Sequence, residues 1–305
     1  MVTAQRAECP GWQALTGIRP VPVSLLSFFA MKSIEAALLN APAIPKRVFR
    51  YLPPKRVDFL RDEEVCFTPP LRFNDPFDIR PVFAPVTNRA YLKRKLKESE
   101  PSFEPLLAGL PRKEKKMLTR QVNKAAMAEY LKDPSKHAER YQTELPKRVN
   151  ASTGVLCFSG VKDNLLMWAH YADSHRGFVV EFDTEDEGFR RLGELHQVRY
   201  RKDRPLFDVV KGPDMAIFLL KSQDWDYEKE FRIFRPLHGC LRRSMNGIDR
   251  FFAHLPRSSV RAVYFGNRME AALKTEISEI MAGTPAKLYE TELHTKQFSL
   301  DFRRC

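Results

Sequence analysis

Between Val48 and Phe302 the chain is built from short apolar runs broken by proline, glycine and charge, a pattern that predicts strands with a few helices among them. Val48-Phe49-Arg50-Tyr51-Leu52 reads as a strand stopped by Pro53-Pro54. Val57 to Leu60 predicts a short helix or turn, and Glu64 to Thr68 a second strand. The run from Pro69 to Asp78 is rich in turn formers and predicts a rigid loop anchored by Phe73 and Phe77. Asn88 to Leu145 reads as two or three basic amphipathic helices, interrupted by Pro101, Pro105, Pro111 and Pro134.

Thr153 to Ser159 is almost continuously apolar and so predicts a strand buried on both faces. Asp163 or Asn164 then caps a helix from Leu165 to Asp173, with Leu165, Trp168 and Ala172 as its stripe. Further strands are expected over Gly177–Phe182, Gln197–Tyr200 and Val260–Phe265, and a helix over Met215–Gln223. Asn267 is the expected cap of a helix reaching about Met281, with Gly283 as its stop, and Ala286 to Phe302 adds one or two strands. Strands, a helical insertion and then mixed elements define an α+β fold, not a regular β-α-β alternation. The expected organisation is a leader over residues 1–45 whose weak periodicity suits disorder, followed by a single domain over 46–302 with a helical insertion at 88–150.

The densest chemistry lies in Trp225-Asp226-Tyr227-Glu228-Lys229-Glu230-Phe231-Arg232-Ile233-Phe234. Aromatic and β-branched residues predict a strand from Tyr227, which places Glu228, Glu230 and Arg232 on one face. Same-face neighbours on a strand are about 7 Å apart, so both carboxylates could reach one small ligand. The same stripe, taken alone, reads first as a solvated polar face in which Arg232 neutralises its neighbours.

Composition narrows the class. With 43% hydrophobic and 11% aromatic residues, the 305-residue chain is neither disordered nor fibrous. The net charge is +13, and the segment 88–150 carries sixteen Lys/Arg against eight Asp/Glu. That surplus points to nucleic acid or another acidic macromolecule as a partner, or to solubility alone. Five scattered cysteines without C-x-x-C spacing argue against a zinc site or a disulfide framework and suit a reducing, cytoplasmic compartment. No apolar run approaches a membrane span, so no membrane partner is expected. Oligomeric state leaves no sequence signature here.

Several motifs resemble a bacterial family of unknown function met in mobile and defence-associated gene neighbourhoods. They are Phe73-Asn74-Asp75-Pro76-Phe77-Asp78, Cys157-Phe158-Ser159, the helix Asn164 to Ala172, and the run from Lys221 through Trp225 to Arg232. The order of elements also resembles the ADP-ribosyltransferase superfamily of the arginine–serine–glutamate type. This resemblance implies a split, mixed β-sheet core and NAD as a substrate; no metal is expected, because loops such as that holding Asn74, Asp75 and Asp78 usually satisfy their own backbone. It also implies transfer of ADP-ribose to a macromolecule by a toxin or defence effector. Glu230 would stabilise the oxocarbenium-like state at the ribose, and Glu228 would orient or deprotonate the acceptor. Arg50 would hold the pyrophosphate and Ser159 would brace Glu230. Phe158, Tyr51 and Trp168 would form the nicotinamide slot. Two features depart from that pattern: Gly160-Val161 follows the serine strand, and the 88–150 insertion is long.

Other candidates are Asn74, Asp75 and Asp78 in the loop, His170 and Tyr171 on the helix, and Arg232. They support two alternatives. One is a metal-dependent nuclease using Asp75 or Asp78 with Glu228, Glu230 and Lys229. The other is a non-enzymatic module that binds nucleic acid or protein.

Overall fold

The computed structural model describes residues 44–99, 109–210 and 215–305. The leader expected over 1–45 therefore lies outside the described residues up to position 43, as do Pro101 and Pro105. In chain order the elements begin with β1 (Arg47–Leu52), α1 (Asp58–Asp62), β2 (Glu64–Phe67), β3 (Val82–Ala84), α2 (Arg89–Ser99), α3 (Arg112–Tyr130) and α4 (Pro134–Ser152). Next come β4 (Thr153–Ser159), α5 (Leu165–Tyr171), β5 (Phe178–Asp183), α6 (Glu187–Arg190), β6 (Leu195–Gln197), β7 (Arg199–Arg201) and β8 (Leu206–Asp208). The chain closes with β9 (Leu220–Ser222), β10 (Glu230–Pro236), β11 (Leu241–Met245), β12 (Ile248–His254), β13 (Val260–Phe265), α7 (Ala271–Met281), β14 (Lys287–Leu293) and β15 (Leu300–Arg304). The fold is mixed α+β around a large mixed sheet.

Two compact units divide the chain. Of the described residues, one contains 83–99, 109–141 and 207–210; the other contains 44–82, 142–206 and 215–305. In the first, Phe83 packs edge-on against Tyr141 at 4.8 Å between ring centroids, and against Phe207 at 6.2 Å. The Tyr130 hydroxyl there accepts the Val86 N–H at 2.8 Å. Leu92 of α2 and Ala138 of α4 are its buried apolar side chains on helices.

The second unit is built on an eight-stranded sheet of order β15-β14-β13-β5-β1-β4-β10-β6. All its pairings are antiparallel except β13 with β14. A three-stranded sheet, β11-β12-β2, belongs to the same unit. The central strands read as continuous apolar runs because both faces are covered. On one face Val48, Leu52, Phe158, Val180 and Ile233 join the larger core, which also takes Ile277 of α7. On the other, Phe49, Tyr51, Val179 and Tyr264 pack with Met167 and Trp168 of α5.

Local chemistry explains where these elements start and stop. The Asn164 side chain accepts the Leu166 and Met167 N–H groups at 2.9 and 3.1 Å, which caps α5. Asp173, Ser174 and His175 then turn the chain through left-handed backbone at φ 49°, 54° and 68°. Gly177 follows, where a Cβ would lie 2.0 Å from the Leu52 carbonyl oxygen, so only glycine lets β5 close on β1.

Four sequence expectations change. Phe77 is 59% exposed and does not anchor its loop to the core. Asn267 does not cap α7, whose cap position is Glu270 with no side-chain bond. A turn closed by Met269 N–H to the Gly266 carbonyl at 2.9 Å takes up residues 267–269 first. The helix expected over Met215–Gln223 is a 3-10 turn over Met215–Leu219, then β9, because Leu220, Lys221 and Ser222 pair in parallel with β7. The strand expected from Tyr227 starts at Glu230, after a 3-10 turn over Gln223–Glu228 and left-handed Lys229 at φ 45°. Among the described residues, no helix is long and apolar enough to cross a membrane.

Among the described residues, Trp168 is the largest side chain with no exposure. Its ring meets Tyr51 edge-on at 5.6 Å and stacks on His175 at 5.8 Å, while Nε1–H donates to the Lys162 carbonyl at 2.8 Å. Replacing Trp168 with Ala should cost about 3–5 kcal/mol of unfolding free energy, measured by urea titration, since it empties a packed site and strands that carbonyl.

Candidate functional site

The left-handed turn at Lys229 gives the two glutamates a shared partner. Had Glu228 and Glu230 lain on one straight strand, about 7 Å would separate them. Instead the turn folds both carboxylates around the Lys221 ammonium, at 2.5 Å from Glu228 Oε2 and 3.0 Å from Glu230 Oε2. Three contacts fix the turn. The Ser159 hydroxyl donates to the Glu228 carbonyl at 2.6 Å, Gly160 N–H donates to the Lys229 carbonyl at 2.8 Å, and Glu230 N–H donates to the Tyr200 hydroxyl at 2.7 Å.

Arg232 extends this cluster. Its Nε and Nη2 bind Glu230 Oε1 and Oε2 at 2.7 and 2.9 Å. Nη1 and Nη2 also grip Asp78 Oδ1 and Oδ2 at 2.8 and 2.6 Å, and Nη1 donates to the Phe218 carbonyl at 2.9 Å. At the far end, Tyr171 donates to Glu228 Oε1 at 2.5 Å, and Asn74 Nδ2 donates to the Tyr171 hydroxyl at 3.2 Å. The five ionisable members are buried: Arg232 is fully inaccessible, and Asp78, Glu228, Glu230 and Lys221 are at most 8% exposed. The polar stripe is therefore not a solvated face.

The two glutamates differ electrostatically. Burial works against the Glu230 charge, but Arg232 and Lys221 outweigh it and hold the carboxyl down at about 2. Burial raises the Glu228 carboxyl against the pull of Lys221, and the Glu230 charge adds to the rise. Asp78 is also raised, because burial exceeds the effect of Arg232. Burial opposes the Lys221 charge, yet Glu230 and Glu228 raise its pKa. Three carboxylates thus face two cations: Glu230 draws on both, while Glu228 and Asp78 each share one and are both raised by burial.

Half-exposed or exposed rings surround the Glu228 end. Trp225 lies 4.9 Å beneath the Lys221 ammonium and 6.1 Å from Tyr227, and His170 lies 6.5 Å from Tyr227 and 6.4 Å from Tyr171. Beside them opens a groove of about 500 Å³ lined by Asn164, Leu165, Leu166, Tyr227, Lys229 and Phe298, among others. Tyr227 and Lys229 flank Glu228 in the chain, so the groove adjoins the network.

Glu228, Glu230, Ser159, Asn74, Asp78, Tyr171, His170 and Arg232 are thereby brought together. Five other candidates take no part in the network. Arg50 pairs in register with Val180, on the sheet face opposite that of Ser159 and Glu230. Its electrostatic neighbours are Arg56, Cys157 and Cys66; burial and Arg56 lower it to about 10, and its buried Nη1 has no partner. Phe158 packs on Phe182 and Phe189 in the larger core. Tyr51 and Trp168 share the network's face but fill each other's space, so no slot lies between them. Asp75 spends Oδ1 on the Phe77 N–H at 2.8 Å, inside its own loop.

Among the described residues, no three His, Cys, Asp or Glu side chains converge as metal ligands would. Lys221 and Arg232 occupy the gaps between the carboxylates, and Lys229 pairs with Asp226 at the surface. Lys221, Tyr200, Trp225 and Tyr227 were not among the sequence candidates. Lys221, Trp225 and Tyr227 were visible only as members of the run that carries the family resemblance, without a role.

Residues 167–233 match a family described as "Protein of unknown function (DUF2971)". The matched stretch contains Trp168, Tyr171, Lys221, Glu228, Glu230 and Arg232, hence most of the network. No curated protein and no solved structure matched the chain.

Two outcomes test this electrostatic picture. Arg232→Met should destabilise the protein by about 3–5 kcal/mol in chemical denaturation, because it leaves two buried carboxylates short of a cation. The Glu230 pKa in the folded protein, about 2, lies below its unfolded value, so its contribution is full above the unfolded pKa and is lost as pH falls. The stability gap between wild type and Glu230→Gln should therefore be constant near neutrality and shrink by up to about 3 kcal/mol between pH ~4.3 and ~2. A gap that does not vary with pH would contradict the assignment.

Proposed function

We propose that the protein is an NAD-dependent ADP-ribosyltransferase-like enzyme whose reacting carboxylate is Glu228. The observation that carries this reading is the charge imbalance of the buried network. It is one cation short, and of its two carboxylates that share a single cation, Glu228 is the one beside Tyr171, Tyr227, Trp225 and His170. A negative, aromatic-lined position of this kind suits a ligand that brings or develops positive charge. NAD does both, in its nicotinamide ring and then at the ribose.

The strand arrangement adds support. Ser159 pairs with Phe49 on one side and Glu230 on the other, so the first strand, the serine strand and the E-x-E strand are neighbours. The superfamily resemblance implies the same set of strands around its site.

In the transfer step, the bond from C1′ of the ribose to the nicotinamide nitrogen breaks, and its electron pair leaves with the ring, which becomes neutral. Positive charge spreads over C1′ and the ring oxygen of the sugar, where the ionised Glu228 favours it more than the ground state. The acceptor nucleophile then bonds to C1′ and gives its proton to the Glu228 carboxylate. Glu230 acts through other groups, anchoring Lys221 and Arg232 so that Glu228 has one orientation. Arg50 takes no part, and the rings around Glu228 replace the slot expected from Phe158, Tyr51 and Trp168. The groove lined by Leu166 and Phe298 offers room for the rest of the dinucleotide or for the acceptor. The basic segment 88–150 favours an acidic macromolecule as partner.

The nuclease alternative has less support, because Lys221 and Arg232 already sit where bridging metal ions would have to be.

Labelled NAD incubated with the protein and cell lysate should release nicotinamide and label a macromolecule. Glu228→Gln should slow release at least about 100-fold with its melting temperature close to that of wild type. Because burial raises the Glu228 pKa, the acid limb of the rate profile should lie above the ~4.3 of an ordinary glutamate. If NAD neither raises the melting temperature nor yields nicotinamide, the proposal fails.

A further inference from the structure

The helix α3 (Arg112–Tyr130) carries a feature that the catalytic reading does not use. Arg112, Lys116, Arg120 and Lys124 recur at four-residue intervals and are all exposed. At 1.5 Å per residue this row runs for about 18 Å, and with Lys113 it falls within an arc of about 120° around the helix axis. The helix's acids, Glu114 and Glu129, lie outside that arc, since each residue advances the helix by about 100°. Met117 is the large apolar residue exposed beside the row. Leu118 and Val122 lie on the half-buried side of the helix. Next in the unit, α2 carries Arg89, Lys93 and Lys97, also exposed and four residues apart.

We propose that this row docks α3 on the phosphate backbone of a nucleic acid, without reading its sequence. A slanted row of like charges on one side of a helix, undiluted by acids, complements a polymer that carries regular negative charge. Exposed lysine and arginine without exposed aromatic rings supply backbone contacts and no base stacking. An anionic membrane would present the same sign of charge. An interfacial helix, however, needs a broad apolar face to embed, and the apolar side of α3 is half-buried within the protein. This inference stands independently of the glycosyl-transfer reading and survives if that reading fails.

The test compares two double variants of the full chain that remove equal charge. Lys116→Gln/Arg120→Gln interrupts the row. Lys132→Gln/Lys147→Gln removes lysines that pair with Glu129 at 2.6 Å and Glu144 at 3.0 Å. Fluorescence anisotropy with labelled duplex DNA and with RNA of matching sequence is followed across salt concentrations. Wild type should bind at least one of the two, and affinity should fall steeply with salt. The row variant should bind at least tenfold more weakly, and its salt slope on duplex should be shallower by about 1.8. The paired-lysine variant should bind within about twofold of wild type, and circular dichroism should be unchanged in both. Equal losses in both variants would reduce the effect to net charge and overturn the proposal. So would an absence of binding to either nucleic acid, or row-dependent binding to anionic vesicles only.

Discussion

A guanidinium with no access to solvent has to be fully partnered, and around Arg232 that requirement organises the candidate site. Its donors go to Glu230 on its own strand, to Asp78 in the loop after β2, and to the Phe218 carbonyl before β9. Losing any of these would leave a buried charge exposed to a low-dielectric surrounding. The Asn74–Asp78 loop, the approach to β9 and the start of β10 are thus tied by one side chain. Lys221 then joins Glu230 to Glu228, and Tyr171 joins Glu228 to α5. The same chain of bonds that fixes the backbone also places the groups proposed to react.

Charge bookkeeping along that chain gives it a direction. Glu230 receives three donors from two cations, and its proton affinity falls accordingly. Glu228 shares one cation and otherwise meets a neutral hydroxyl, so burial keeps its proton affinity high. Identical side chains one residue apart therefore acquire different properties from their surroundings. Separated pKa values of this kind mark acid–base assignments in active sites, although structural ion networks produce them too. What favours function is the position of the uncompensated end, which lies among half-exposed aromatic rings and not in the packed core.

Much of the fold was legible in the sequence because its signals are local. The apolar runs of β1, β4, β5 and β13, the Asn164 cap and the Gly283 stop need only neighbouring residues to be recognised. The candidate site was legible as a set of residues but not as a geometry. Alternation along a presumed strand put Glu228 and Glu230 on one face, whereas a left-handed residue between them brings both to Lys221. That turn is set by Ser159 and Tyr200, which are distant in sequence. Arg50 shows the converse: its position on the first strand was read correctly, but its face depends on pairing with Val180, and that pairing turns it from the glutamates. Lys221 was seen only as part of a motif and given no role, because a lysine closing an apolar run has no meaning until β9 pairs with β7.

Buried ion networks are seldom the most stable solution for a core. Replacing such a network with well-packed apolar residues is often neutral or stabilising, so stability alone does not account for three carboxylates and two cations at one sheet end. The neighbouring β1, β4 and β5 positions show that this chain readily fills its sheet with valine, leucine and phenylalanine. Charge persists where α5, β9 and β10 meet, and it is left unbalanced on the side facing the aromatic rings. A network serving only to fix the fold would gain from neutrality, since each uncompensated buried charge is costly. The deficit makes sense if a positive centre arrives from outside at the Glu228 end, where the rings are. The glycosyl-transfer reading therefore rests on that imbalance more firmly than on the spacing of the glutamates.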